Sequence, residues 1–68
     1  MNRFKERIRE LRDDKGLKQL QVATALRISP ATYANWEQGR REPSIDNLVL
    51  LCNFFNVTAG QLIGMEEL

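Results

Sequence analysis

Residues 16–43 read GLKQLQVATALRISPATYANWEQGRREP, and the placing of apolar residues along this stretch decides the fold. Gln19 to Leu26 is expected to form a short helix with Val22, Ala23 and Leu26 inward and Leu17 and Ile28 closing over its ends. Ala23 is informative by being small, because a bulky side chain there would push apart two helices that must cross closely. Ser29 is a strong N-cap and Pro30 suits the first helical position, where a missing N–H costs nothing, so the next helix runs from Pro30 to Gln38 and ends at Gly39. Tyr33 and Trp36 form its apolar side, which leaves Ala31, Thr32 and Asn35 facing outward. Arg40 and Arg41 follow at once. Basic residues clustered beside a helix call for a negatively charged partner, and the phosphate backbone of a duplex is the most economical one.

Working outward, Phe4, Ile8 and Leu11 recur at helical spacing with charges between them, Asn2 can cap the start, and Gly16 supplies a stop. The charges from Arg3 to Lys15 read as a solvated helix face. After Pro43, Ser44 caps a helix rich in Ile45, Leu48, Val49, Leu51, Cys52 and Phe55, with Asn56 suited to a left-handed end. Thr58 and Gln61 form a capping box for a last turn with Leu62 and Ile63. The expected fold is all-α, a compact bundle of five short helices in one domain over residues 1–68, without strand alternation, repeat or linker.

A chain of 68 residues belongs to a size class that buries only about 60% of its unfolded surface, so modest stability is expected. Cys52 is the single cysteine and there is no histidine, which excludes a disulfide framework and a zinc site and implies no metal or cofactor. A reducing, cytoplasmic setting fits that usage. No charged segment precedes an apolar one at the N-terminus, and the run Leu48 to Cys52 is too short to span a bilayer, so a soluble protein without a membrane partner is expected. Catalysis is not indicated: no histidine, paired carboxylates or glycine-rich phosphate loop is present. The net charge of +1 hides an asymmetry. All ten lysines and arginines lie within residues 1–44, where six acids leave a net of +4, while residues 45–68 carry only Asp46, Glu66 and Glu67. Separate basic and acidic faces follow.

Leu17, Gln19, Ala23, Leu26, Ile28-Ser29, Trp36-Glu37-x-Gly39, Pro43-Ser44 and Phe55-Asn56-Val57-Thr58 occur in an order that resembles the Cro/C1-type (Xre-like) helix-turn-helix family of phage repressors and small bacterial regulators. The likeness covers residues 3–64. It implies that the Gln19–Leu26 helix lies across a DNA backbone while the Pro30–Gln38 helix enters the major groove N-terminus first. By position it assigns Ala31, Thr32 and Asn35 to base edges: Asn35 pairs with an adenine, and Ala31 and Thr32 pack on thymine methyls, with Pro30 able only to pack. It assigns Gln19 to a phosphate, and Arg12 with Glu37 to an ion pair bracing the reading helix; Lys18, Gln38, Arg40 and Arg41 flank the same surface and are expected to contact phosphates as well. Three departures stand out. Arg27 replaces the usual turn glycine and must accept a left-handed or strained backbone, and Lys18 replaces the usual Ser or Thr cap. Leu20 and Leu50 replace polar residues and, with Phe54, suggest exposed apolar area.

Two functions remain open at this point. One is a sequence-specific double-stranded-DNA-binding transcription regulator, a repressor working as a homodimer, with half-sites about 34 Å apart and a dimer surface including Leu50, Phe54 and Leu68. The other is a protein-interaction module of the same fold, such as an antitoxin or a regulator of another regulator, with a protein partner on Leu20, Leu50 and Phe54.

Overall fold

The computed structural model describes residues 2–68. The elements, in chain order, are α1 (Phe4–Asp14), α2 (Gln19–Leu26), α3 (Pro30–Gln38), α4 (Ile45–Phe55) and α5 (Ala59–Ile63), with no strand among the described residues. No helix among the described residues is long and apolar enough to cross a membrane.

The helix boundaries fall where local chemistry puts them. Ser29 Oγ accepts from the Thr32 N–H at 3.0 Å, Ser44 Oγ from Asn47 at 3.1 Å, and Thr58 Oγ1 from Gln61 at 3.0 Å, each satisfying an orphan donor of a first turn. Gln61 returns the favour, its Oε1 accepting from the Thr58 N–H at 3.0 Å, which completes the expected box. Gly39 and Asn56 end α3 and α4 in left-handed conformations with φ of 77° and 57°. At α1 the cap is displaced by one residue: Arg3 holds the cap position and has no acceptor, so Asn2 Oδ1 reaches past it to the Phe4 N–H at 3.0 Å.

Every helix contributes to one core of Phe4 and Ile8 from α1, Val22 and Ala23 from α2, Tyr33 and Trp36 from α3, Leu51 and Phe55 from α4, and Leu62 from α5. Trp36 sits at its hub, edge-to-face with Phe4 at 6.3 Å and Tyr33 at 6.0 Å between ring centroids. Such pairs add about 1 kcal/mol each beyond burial. Ala23 is fully buried, as close crossing of α2 and α3 demands. Cys52 is half-buried on α4, and burial pushes its thiol up from the ordinary value.

The reading of residues 3–15 as a solvated face fails at Arg7, which is only 6% exposed. Its Nη1 donates to the carbonyls of Gln61 at 2.8 Å and Glu66 at 2.9 Å, and the Arg3 N–H donates to the Ile63 carbonyl at 2.8 Å. Carbonyls left over at and just past the end of α5 thus find donors on Arg7 of α1 and on Arg3 at its cap, an instance of a cation serving a helix C-terminus. Arg7→Met is expected to lower stability by about 2 kcal/mol, since charged hydrogen bonds are lost and buried carbonyls left unpaired. Urea unfolding measures the loss, and faster amide exchange at Met65 and Glu66, whose N–H groups bond the Gly60 carbonyl, locates it.

Candidate nucleic-acid interface

The turn between α2 and α3 is three residues long. Arg27 adopts φ 58°, ψ 41°, the left-handed conformation expected where the resembled family has glycine, at a cost of about 1 kcal/mol for a residue with a Cβ. Its N–H donates to Thr24 at 3.2 Å and that of Ile28 to Ala23 at 3.0 Å, closing the end of α2 before Ser29 opens α3. At the other end of α2, Lys18 provides no side-chain acceptor, in line with the sequence reading. Gln21 compensates in part, its Oε1 accepting from the Lys18 N–H at 2.7 Å. That glutamine stands at the N3 position of a capping box whose Ser or Thr N-cap is missing, a signal legible in the sequence.

On α3, Tyr33 and Trp36 face the core. Ala31 and Gln38, seven apart and both exposed, run along the outermost line of the helix, while Thr32 and Asn35 are half-buried on its flank toward α4. Thr32, Asn35 and Trp36 line a groove with Arg41, Ser44 and Asn47. Asn47 escaped the sequence reading because its only local signal was as the recipient of the Ser44 cap. Lys18, Arg40 and Arg41 are exposed. The Asn35 carbonyl accepts from the Arg40 N–H at 3.0 Å and the Arg41 N–H at 3.4 Å, so the basic pair is fastened to the turn of α3 that carries Asn35. Lys5, also not foreseen, lies across the same end: a Cβ on Gly39 would meet its Cδ at 2.9 Å. Only α1 packing beside α3 reveals this third cation. Of the three apolar residues assigned to a partner surface, Leu50 is 45% exposed, whereas Phe54, one turn on, is half-buried edge-to-face on Phe55 at 4.9 Å. Leu68, 47% exposed, lies instead beside Arg3, Arg7 and Glu10.

Behind this surface, Glu37 joins three helices. Arg12 Nε donates to its Oε2 at 2.6 Å and Arg12 Nη2 to its Oε1 at 3.0 Å, a bidentate pair, while Gln19 Nε2 donates to Oε1 at 3.0 Å. Arg12 Nη1 goes to the Leu17 carbonyl at 2.8 Å. The two charged side chains are 13% and 4% exposed. Gln19, assigned by resemblance to a phosphate, is therefore positioned by α3 and keeps a second amide hydrogen for a ligand. Burial raises the Glu37 carboxyl, but the hydrogen bonds from Arg12 and Gln19 and the Arg12 charge outweigh it and hold the group below the usual carboxylate range. The Tyr33 hydroxyl beside it is buried without a hydrogen-bond partner of normal geometry, and burial, then the nearby carboxylate, push the phenol far above its ordinary value.

A close crossing of two short helices, a tight turn, an outward face of small and amide side chains, and flanking cations define a helix-turn-helix. A family model described as helix-turn-helix matches residues 8–62, and the chain belongs to that family. It is 37% identical over 65 residues to the transcriptional activator BcrR of Enterococcus faecalis, covering 96% of this chain and 32% of that protein. It is 30% identical over 64 residues to the cryptic phage CTXphi transcriptional repressor RstR of Vibrio cholerae, covering 94% of this chain and 58% of that one. The crystal structure of a transcriptional regulator from Listeria innocua superposes with a TM-score of 0.89 at 28% identity, over 100% of this chain and 64% of that one. The chain thus spans only part of these relatives, and the Cro/C1-type resemblance read from the sequence holds.

Because the folded Glu37 carboxyl sits below its unfolded value of about 4.3, the stability it supplies is complete above that pH and is lost as pH falls through the lower folded value. Glu37→Gln is expected to cost about 3 kcal/mol near neutrality by leaving the largely buried Arg12 with only the exposed Asp13 carboxylate, 3.5 Å away, as its ionic partner. The gap between wild type and variant should then narrow on acidification below about pH 4, which thermal unfolding at a series of pH values measures.

Proposed function

We propose that this chain is a sequence-specific double-stranded-DNA-binding transcription regulator, a repressor that reads major-groove half-sites with α3 as a homodimer. The observation that carries the reading is the outward face of α3, braced from behind by Glu37 and flanked by Lys18, Arg40 and Arg41. Ala31, Thr32 and Asn35 approach base edges; Gln19, Gln38 and the three cations hold phosphates on either side. Relatives named as transcription regulators support the role, one as an activator and one as a repressor. A reading helix this small makes few base contacts, which favours pairing two copies on a palindromic site. The Leu50 flank of α4 is the surface assigned to that pairing. The setting is cytoplasmic, and neither cofactor nor catalysis enters the proposal.

Selection of bound sequences from random DNA tests binding, symmetry and half-site spacing together. On the selected site, Asn35→Ala should weaken binding by about 2 kcal/mol while leaving affinity for unrelated duplex unchanged. Arg40→Ala should weaken both alike and reduce the slope of log affinity against log salt by about one. Gel shift or fluorescence anisotropy at several salt concentrations reads both effects. Leu20, 60% exposed, and Leu50 favour the second reading, a protein-interaction module such as an antitoxin. It predicts a stoichiometric protein partner whose binding survives high salt and Arg40→Ala.

A further inference from the structure

We propose that Arg27, in the turn between α2 and α3, binds a backbone phosphate of duplex DNA on the strand opposite the one gripped at Gln19. The inference rests on the DNA-reading role of α3 proposed above and gives a contact to a residue which that role does not include. Among the described residues, two that are not glycine have positive φ, Arg27 at 58° and Asn56 at 57°. Asparagine suits that conformation because its short side chain can hydrogen-bond locally, and arginine gains nothing of the kind. Glycine would make the same turn without a Cβ to crowd. A strained residue persists where the surrounding structure holds it in place, and such sites cluster where a molecule binds. Within the fold the side chain has no ionic employment: Arg27 is exposed, and the described ion pairs, Arg12 with Asp13 and Arg12 with Glu37, do not include it.

Its position supplies the reason for keeping it. Gln19 Nε2 donates to Glu37 Oε1 at 3.0 Å, which brings the start of α2 to the far end of α3. Lys18 adjoins that contact, Arg40 and Arg41 are fastened to the Asn35 carbonyl, and Lys5 lies across Gly39, so these cations all gather at that end. The opposite end of α3, where the helix enters the groove, follows directly on the turn, and Arg27 is the one lysine or arginine between Lys18 and Arg40. With eight residues in α2, Arg27 stands about 12 Å along the helix axis from its start. The major groove of a duplex is about 12 Å wide. An α2 whose start rests on one phosphate ridge therefore ends near the other. Arginine has both the reach and the fork of donors to take a phosphate oxygen there.

Arg27→Gly removes the cation and the strain together, so its two consequences have opposite signs. The variant should melt about 5 °C higher than the wild type. It should nevertheless bind duplex DNA about eightfold more weakly at roughly 0.1 M salt, on the selected site and on unrelated sequence alike, with the slope of log affinity against log salt reduced by about one. Arg27→Lys keeps both charge and strain and should retain the slope. Single methylphosphonate linkages, each neutralising one phosphate of the selected site, locate the contact by anisotropy. At one linkage per half-site the wild type should lose affinity and Arg27→Gly should not, and the linkage to which Gln19→Ala is indifferent should lie on the other strand. A more stable Arg27→Gly with unchanged affinity and slope would overturn the proposal. So would weaker binding that keeps the wild-type response to every methylphosphonate, because the turn would then act only through the shape of the fold. Absence of salt-dependent duplex binding in the wild type would overturn it together with the DNA-reading role itself.

Discussion

Glu37 is the constraint on which the arrangement turns. One carboxylate on the inner side of α3 receives the Arg12 guanidinium from α1 and the Gln19 amide from α2, so three helices meet at a single side chain. The fold holds these groups almost out of water, and an ion pair in that setting contributes less by its net worth than by the penalty for breaking it. The orientation of α3 is therefore tied to the integrity of α1. A surface that recognises another molecule with only a few side chains needs its supporting helix held to within a fraction of an ångström, and this junction lies directly behind it.

Strain and support are distributed unevenly around that junction. Arg27 carries a left-handed backbone in the turn, and Lys18 leaves α2 with half a cap supplied by Gln21. Both departures are local costs of about 1 kcal/mol. They are offset by contacts that are not local: the aromatic cluster around Trp36, the fully buried Ala23 crossing, and the Arg7 grip on the end of α5. A domain of this size has little stability to spare, which makes these distant contacts decisive.

The helices were legible because each is bounded by chemistry that acts within four residues: Ser29, Ser44 and Thr58 at starts, Gly39 and Asn56 at ends. The outward placing of Ala31 followed from the three-residue spacing of Tyr33 and Trp36 alone; the same spacing turns Thr32 and Asn35 outward, whereas the neighbouring Ser44 and Asn47 leave both half-buried on the flank toward α4. The Arg12–Glu37 contact came from the family resemblance, not from spacing. What stayed hidden were contacts between elements far apart in the chain. Arg7 looked like one more solvated cation until α5 brought its carbonyls over α1, and Lys5 joined the basic cluster only through packing across Gly39. Phe54 had the pattern of an exposed apolar residue, but the adjoining Phe55 ring covers part of it.

Trp36, the one tryptophan in the chain, is 3% exposed and faces Phe4 and Tyr33 from the inner side of α3. The molecule thereby contains its own fluorophore at the centre of its interior. Its emission will respond to loss of packing around the indole, and because the same residue lines the groove with Thr32, Asn35 and Arg41, it will also respond to whatever fills that groove. Disassembly of the core and occupancy of the groove beside α3 are in this way both given an optical reporter without any added dye.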